Sequence, residues 1–281
     1  MTEAAETRQF EIVLPGAPQL DPVRVVGLVA DVPARVAVYV GLRGLSSRPD
    51  CYAVDVPDVV KYADAGRQAG FAVYVAANAE LDDDGLRRLD CMIPVLSEAQ
   101  VAGVIVSDLA AIRRLGAGPL PVHVSSIFPT YNSATVRALV DMGVTRIVLP
   151  TNVTWDAIEE LAACRGGCEI ELIVAGGVCF NDCARCGLPH ESVDGRFVVA
   201  CREAAAHVAG GPRERAVWLL HADPARIVER ALSARVTALK VEGRSETWEV
   251  VSARVAGLCA ALGARRPGEG DPDAGAGVYE L

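Results

Sequence analysis

The sequence predicts a (β/α)8 barrel of the TIM type, irregular in places. Two observations predict it: there are eight short β-branched runs, and a stretch of helical periodicity follows each of them. Alternation of this kind marks parallel βα units, because a parallel strand is covered on both faces and needs a helix between it and solvent. An open doubly wound sheet is the alternative. In both architectures ligands bind at the carboxyl ends of the strands.

In order, strands are expected at Phe10–Leu14, Val36–Val40, Phe71–Ala76, Gly103–Val106, Val122–Ser125, Arg146–Leu149, Ile170–Val174 and Ala238–Val241. Helices are expected near Pro22–Ala30, Pro57–Gly70, Asp84–Leu96, Leu109–Leu115, Ser133–Met142, Trp155–Ala163, Pro224–Leu232 and Thr247–Leu262. Pro57 suits a first helical turn, where its missing N–H costs nothing, and Gly70 suits a C-terminal stop. Ser133 and Thr154 are placed as N-caps, since their hydroxyls can accept from an orphan N–H of the first turn.

With 281 residues, 51% of them hydrophobic, the chain can bury one large core. A single barrel domain is expected over 1–263, including a cysteine-rich loop at 175–202, followed by a disordered tail at 264–281 rich in Gly, Pro and charge. The net charge of −9 argues against bulk electrostatic attraction to nucleic acid or an anionic membrane. No apolar run approaches the roughly 20 residues that span a bilayer. The polar, acidic N-terminus does not read as a signal peptide, so a cytoplasmic protein with reduced thiols is expected.

Five of the nine cysteines fall between Cys164 and Cys186, with Cys201 close behind. Cys179, Cys183 and Cys186 form a C-x3-C-x2-C run directly after the seventh strand. Thiolates at irregular loop spacings suit an iron–sulfur centre better than a zinc ribbon, which uses paired C-x2-C knuckles. Zinc and uninvolved or redox-active thiols are the alternatives. Cys91 and Cys259 lie in amphipathic helical patterns and read as small buried hydrophobes. Radical S-adenosylmethionine enzymes also use C-x3-C-x2-C, but usually after the first strand of the barrel.

The strand ends supply the pocket: Asn78 after the third strand, Ser107 and Asp108 after the fourth, Ser125 and Ser126 after the fifth, Thr151 and Asn152 after the sixth, and Glu242, Gly243 and Arg244 after the eighth. Asp108, Glu242 and Arg244 are the candidate catalytic residues. Asn78, His123, Ser125, Asn132 and Lys240 are the candidate substrate-binding residues. Lys240, Glu242 and Arg244 alternate and so share a face, and the Arg244 fork suits a carboxylate or phosphate; an ordinary ion pair is the bland alternative. The histidines His123, His190, His207 and His221 lack His-Glu-x-x-His spacing, which counts against a metallopeptidase.

The ordered segments Ala37–Gly41, Val73–Asn78, Val104–Asp108, Val122–Ser125 followed by Asn132, Arg146–Pro150, Ile170–Val174, Cys201–Arg202 and Lys240–Arg244 resemble the U32 family, historically called collagenase-like peptidases. The resemblance implies a [4Fe–4S] cluster held by four cysteines. It also implies oxygen-independent hydroxylation of ubiquinone precursors or of transfer and ribosomal RNA bases, with prephenate implicated as oxygen donor. On this pattern Cys179, Cys186 and Cys201 match family ligands. The stretch that carries the fourth is missing here, so Cys183 is taken as its replacement, with Cys51 and His190 as rivals. The acidic residue of many relatives after the sixth strand is replaced by Thr151 and Asn152.

Three functional classes are therefore carried forward. The first is a [4Fe–4S] oxidoreductase acting on a small molecule or an RNA base. The second is a non-catalytic iron–sulfur subunit serving a paralogous partner or electron donor. The third is a U32-type peptidase or other hydrolase with a structural metal.

Overall fold

A computed structural model describes residues 10–17, 20–30, 32, 34–48, 50–151, 153–176, 223–244 and 247–263, together with the backbone of 190–193 and 196–199. The elements run β1 (Glu11–Gly16), α1 (Pro22–Val29), β2 (Arg35–Leu42), β3 (Ala53–Val54), α2 (Val56–Ala69), β4 (Ala72–Ala76), α3 (Asp83–Glu98), β5 (Gly103–Val106), α4 (Leu109–Leu115), β6 (Val122–Val124), α5 (Ser133–Asp141), β7 (Val144–Val148), α6 (Trp155–Ala163), β8 (Glu169–Ala175), β9 (His190–Val193), β10 (Arg196–Val199), α7 (Pro224–Ser233), β11 (Ala238–Val241) and α8 (Trp248–Gly263).

Eight strands close into a parallel barrel in the order β1, β2, β4, β5, β6, β7, β8, β11 and back to β1. Closure is direct: Glu11 pairs with Arg35 on one side and with Ala238 on the other. This is the (β/α)8 architecture expected, and the strands fall where the β-branched runs are. Two additions were not expected. The two-residue β3 pairs with the end of β2 through Gly41 and Leu42, and β9 and β10 form an antiparallel hairpin between Cys186 and Cys201.

Side chains at the strand ends start many of the helices, and this fixes the carboxyl face. Asp21, Asp82, Asp108, Asn132, Thr154 and Asp223 each accept from a first-turn N–H. Ser133, expected as a cap, is the first helical residue of α5 instead, and Asn132 caps it, with its carboxamide oxygen 2.9 Å from Thr135 N. Pro57 sits in the first turn of α2, and Gly70 ends that helix in the left-handed region, as expected.

Alternate strand residues face two different cores. Ile12, Val38, Val40, Val73, Val75, Val104, Ile147, Ile170, Leu172 and Leu239 pack outward beneath the helices in the large core. The inward set contains a small apolar cluster of Val13, Ala37, Tyr39, Tyr74, Ala76, Ile105 and Ala238. Glu11, His123, Arg146, Glu171 and Lys240 also face inward.

Candidate active site at the barrel mouth

A buried ion network fills the barrel. Arg146 from β7 is 1% exposed, and its Nη1 donates to Glu11 Oε2 at 2.6 Å and to Glu171 Oε2 at 3.0 Å. Its Nε and Nη2 donate to Glu169 at the lower rim. Lys240 Nζ from β11 donates to Glu171 Oε1 at 3.0 Å. Burial opposes the charge on Arg146, but Glu171 and Glu11 outweigh it and raise its pKa; burial likewise opposes the Glu171 carboxylate, yet Lys240 and Arg146 hold its pKa below the usual range. Tyr74 donates to Glu11 and lies beneath the Arg146 guanidinium, 4.9 Å from ring centroid to Cζ.

His123 from β6 stands edge-on to Tyr74 with ring centroids 4.5 Å apart. Gly103 on the neighbouring strand leaves it room, since a Cβ there would sit 3.3 Å from His123 Nε2. Burial, then Arg146 and Lys240, push the imidazole pKa well below 6.5, so His123 is neutral. Its buried Nδ1 has no hydrogen-bond partner among the described residues. The unfolded chain binds a proton that the folded chain refuses, so this group's stabilisation is present above pH 6.5 and is lost as pH falls towards the lowered folded value. The slope there should approach 1.4 kcal/mol per pH unit, roughly one proton's worth. Denaturant unfolding between about pH 6.5 and 5 checks this against His123→Gln, which should flatten that slope; an unchanged slope would refute it.

Above this network lies the mouth. Tyr39 presents its ring to two cations, Lys240 Nζ at 4.1 Å and Arg244 Cζ at 5.0 Å from the centroid. Glu242 Oε1 lies 3.5 Å from Arg48 Nη2 and 3.9 Å from Arg244 Nε. Asn78 Nδ2 donates to Ser125 Oγ at 3.1 Å, the Asn78 carbonyl accepts from Ser107 Oγ at 2.7 Å, and Asn78 Oδ1 accepts from Ser47 N at 3.1 Å. The β2 loop carrying Ser47 and Arg48 thus ties both halves of the rim together. Lys240, Glu242, Arg244, Asn78 and Ser125 are each less than 9% exposed.

Asp108 and Asn132 have structural tasks at the same face. The Asp108 carboxylate caps α4 through Ala111 N at 2.9 Å and lies 3.5 Å from Leu81 N. Asn132 is exposed, its oxygen engaged with Thr135. Neither is held against the cations over Tyr39 by any of these bonds.

The cysteine-dense stretch is divided by β8. Cys164 and Cys168 precede that strand, whereas Cys179, Cys183, Cys186 and Cys201 follow it and lie outside the described residues, as does the His190 side chain. Cys168 is a core residue whose thiol pKa is pushed up to about 12 by burial and by Glu169. A seven-residue strand is roughly 23 Å long, so Cys164 and Cys168 start from the opposite end of the barrel. The chain leaves β8 through Gly176 at φ +117°, where a Cβ would overlap the Glu242 carbonyl; Glu242 N in turn donates to Ala175 O at 2.7 Å. The end of β8 at Ala175 and Gly176 is therefore fastened beside Glu242. Cys51 is exposed on a short turn at Asp50–Tyr52 after β2. Cys91, expected to be buried, is exposed, because α3 turns Leu89, Ile93 and Leu96 to the core instead; Cys259 is half-buried against the core.

Residues 29–264 match the model of peptidase family U32. The chain belongs to this family. The chain is 25% identical over 236 residues to the tRNA hydroxylation protein P1 of Bacillus subtilis strain 168, covering 77% of this chain and 55% of that protein. It is 26% identical over 154 residues to the 23S rRNA 5-hydroxycytidine C2501 synthase of Escherichia coli strain K12, covering 55% of this chain and 23% of that protein. The chain thus spans about half, or less, of the length of these curated relatives. The solved U32 peptidase Mk0906 superposes with a TM-score of 0.50 at 16% identity, over 59% of this chain and 69% of that one. No helix among the described residues is long and apolar enough to cross a membrane.

The mouth and the network beneath it contain residues that sequence reasoning did not single out: Tyr39 and Arg48 in the first, and Glu11, Tyr74, Arg146 and Glu171 in the second. A signal for most was present. Glu169 and Glu171 alternate with Ile170 and Leu172, and Arg146 stands among apolar neighbours, in strands expected to be covered on both faces. In a closed barrel such alternation places charge in the lumen.

Proposed function

We propose that this U32 chain is a [4Fe–4S]-dependent oxidoreductase that hydroxylates a small molecule or an RNA base without molecular oxygen. The observation that carries this reading is the end of β8, where Ala175 and Gly176, the last described residues before the cysteines in sequence, lie against Glu242 at the mouth that also holds Arg244, Lys240, Asn78 and Ser125. The two relatives named for tRNA and rRNA hydroxylation support it. Four thiols are the donor set that a cubane cluster takes. The β9–β10 hairpin supports their convergence: His190 pairs with Val199, so Cys186 and Cys201 lie four and two residues from neighbouring points. At roughly 3.5 Å per residue both can reach one centre.

When bound, the cluster supplies one-electron chemistry. The chain's own residues orient and discriminate. Arg244 and Arg48 present guanidinium donors for an anionic group, Glu242 is the carboxylate beside them available for proton transfer, and Asn78 and Ser125 offer neutral hydrogen bonds. A paralogous partner or electron donor belongs to the same reading.

Protein purified without oxygen should be brown and carry about four irons per chain. Cys183→Ala should lose the cluster, and Cys51→Ala should keep it. Iron and sulfide assays with an absorption spectrum read both results. A colourless protein with one zinc per chain would refute the cluster, and the reverse pattern of the two variants would move the fourth ligand to Cys51.

A further inference from the structure

We propose that Lys240 is a nucleophilic amine that captures the carbonyl of a 2-oxo acid as an iminium at the barrel mouth. This goes beyond the reading above, because the capture needs neither a cluster nor a change of oxidation state.

The composition draws attention to this residue. The chain has 25 arginines and only two lysines, Lys61 and Lys240. Lys61 is exposed on α2 and paired with Asp58, whereas Lys240 is 6% exposed inside the barrel. Where the lumen needs a fixed positive charge, Arg146 already provides it, with three carboxylates around it. An amine differs from a guanidinium in one respect that matters here: it can give up its proton and present a lone pair.

The surroundings suit that task. Burial, its largest influence, holds the Lys240 pKa below the usual lysine value against the pull of Glu171, and Arg244 and Arg146 add to the depression. Glu171 Oε1, 3.0 Å from Nζ, is positioned to take the ammonium proton, and Arg146 steadies the other carboxylate oxygen. The Tyr39 ring gathers both the amine and the Arg244 guanidinium, at 4.1 and 5.0 Å from its centroid. A ligand whose carboxylate rests on Arg244 brings an adjoining carbonyl carbon towards Nζ. A 2-oxo acid has those two groups one bond apart.

The step balances without a further reagent. Lys240 passes one proton to Glu171, and its nitrogen attacks the keto carbon, forming the C–N bond while the carbonyl π pair moves to oxygen. The proton held by Glu171 and a second from the nitrogen go to that oxygen. The C–O bond breaks and water leaves. Ammonium plus ketone becomes iminium plus water, the charge stays at +1, and nothing is oxidised or reduced. The iminium is an electron sink for the bonds of the neighbouring carbon.

The full-length chain is incubated with pyruvate and sodium cyanoborohydride, which reduces an iminium to a stable secondary amine, and is then read by intact mass and peptide mapping. One adduct is expected, on Lys240, in the wild type and equally in Lys61→Arg, and it should be absent in Lys240→Arg. Arg244→Ala should slow pyruvate capture at least about tenfold, the cost of losing a charge-assisted contact, while capture of uncharged acetaldehyde changes far less. No adduct on the wild type, or labelling at Lys61 and the N-terminus alone, would overturn the proposal. Equal slowing of pyruvate and acetaldehyde would overturn the 2-oxo acid assignment. Because the wild type carries the principal readout, an unfolded variant cannot rescue or sink it, and loss of iron from the preparation tests the cluster separately.

Discussion

Replacing Arg146 by leucine should destabilise the protein by roughly 3–5 kcal/mol, the cost of breaking a buried ion network from one side. Glu11 and Glu171, 2% and 1% exposed, would keep their carboxylates with the best cationic partner gone; Lys240 can answer only Glu171. The chain would respond by protonating a carboxyl, so the loss should shrink as the pH is lowered towards the carboxylate range. Guanidinium unfolding at neutral and mildly acidic pH measures both. A loss under about 1 kcal/mol at neutral pH would mean that the network carries little charge. Restoring neutrality by adding Glu11→Gln alone, which leaves Lys240 paired with Glu171, should recover part of the deficit, since the cost lies in the uncompensated buried charge.

The second large effect is expected at Gly176. With φ at +117°, this residue occupies backbone space that L side chains rarely enter, and an alanine Cβ would overlap the Glu242 carbonyl. Backbone strain alone costs about 1–3 kcal/mol. The steric term adds to it, because the Ala175–Glu242 hydrogen bond of 2.7 Å has to lengthen. Gly176→Ala should therefore lower the unfolding midpoint and disturb the mouth together, whereas alanine at Gly167, where a Cβ meets open space, should be nearly neutral. Equal midpoints for the two variants would show that the junction yields without cost.

Much of the architecture was legible because period-2 and period-3.6 patterns alternate cleanly from β1 to α8. Asp108 and Asn132 illustrate where such reading stops. A polar residue after a strand is required by helix capping as often as by chemistry, and only geometry separates the two uses. Cys91 failed for a related reason, since a small residue on an amphipathic helix fits either boundary of its apolar face. The hairpin at β9 and β10 escaped because a cysteine-rich segment reads as a loop, and β3 is too short to show a period. Lys240 was singled out, but Glu11, Arg146 and Glu171 were missed because a charged residue inside an apolar run is normally read as a sign that the strand has an exposed face. In a closed sheet that second face is interior, and Glu11, Arg146, Glu171 and Lys240 meet there across four strands.

The ionic filling of the barrel also bears on how the fold responds to temperature. Unfolding raises heat capacity in proportion to apolar surface exposed, by about 0.45 cal/K/mol per Å², and lowers it by about 0.26 for polar surface. In this chain the helix-covered shell supplies the first contribution, while the lumen, occupied in part by Arg146, Glu11, Glu171 and Lys240, adds to the second, beyond what the peptide groups contribute in any fold. A barrel of the same length packed with aliphatic layers would have both contributions of one sign. The stability curve of this one is correspondingly less sharply domed, so it loses less of its maximum on either side, and cold weakens it less than its size alone would suggest.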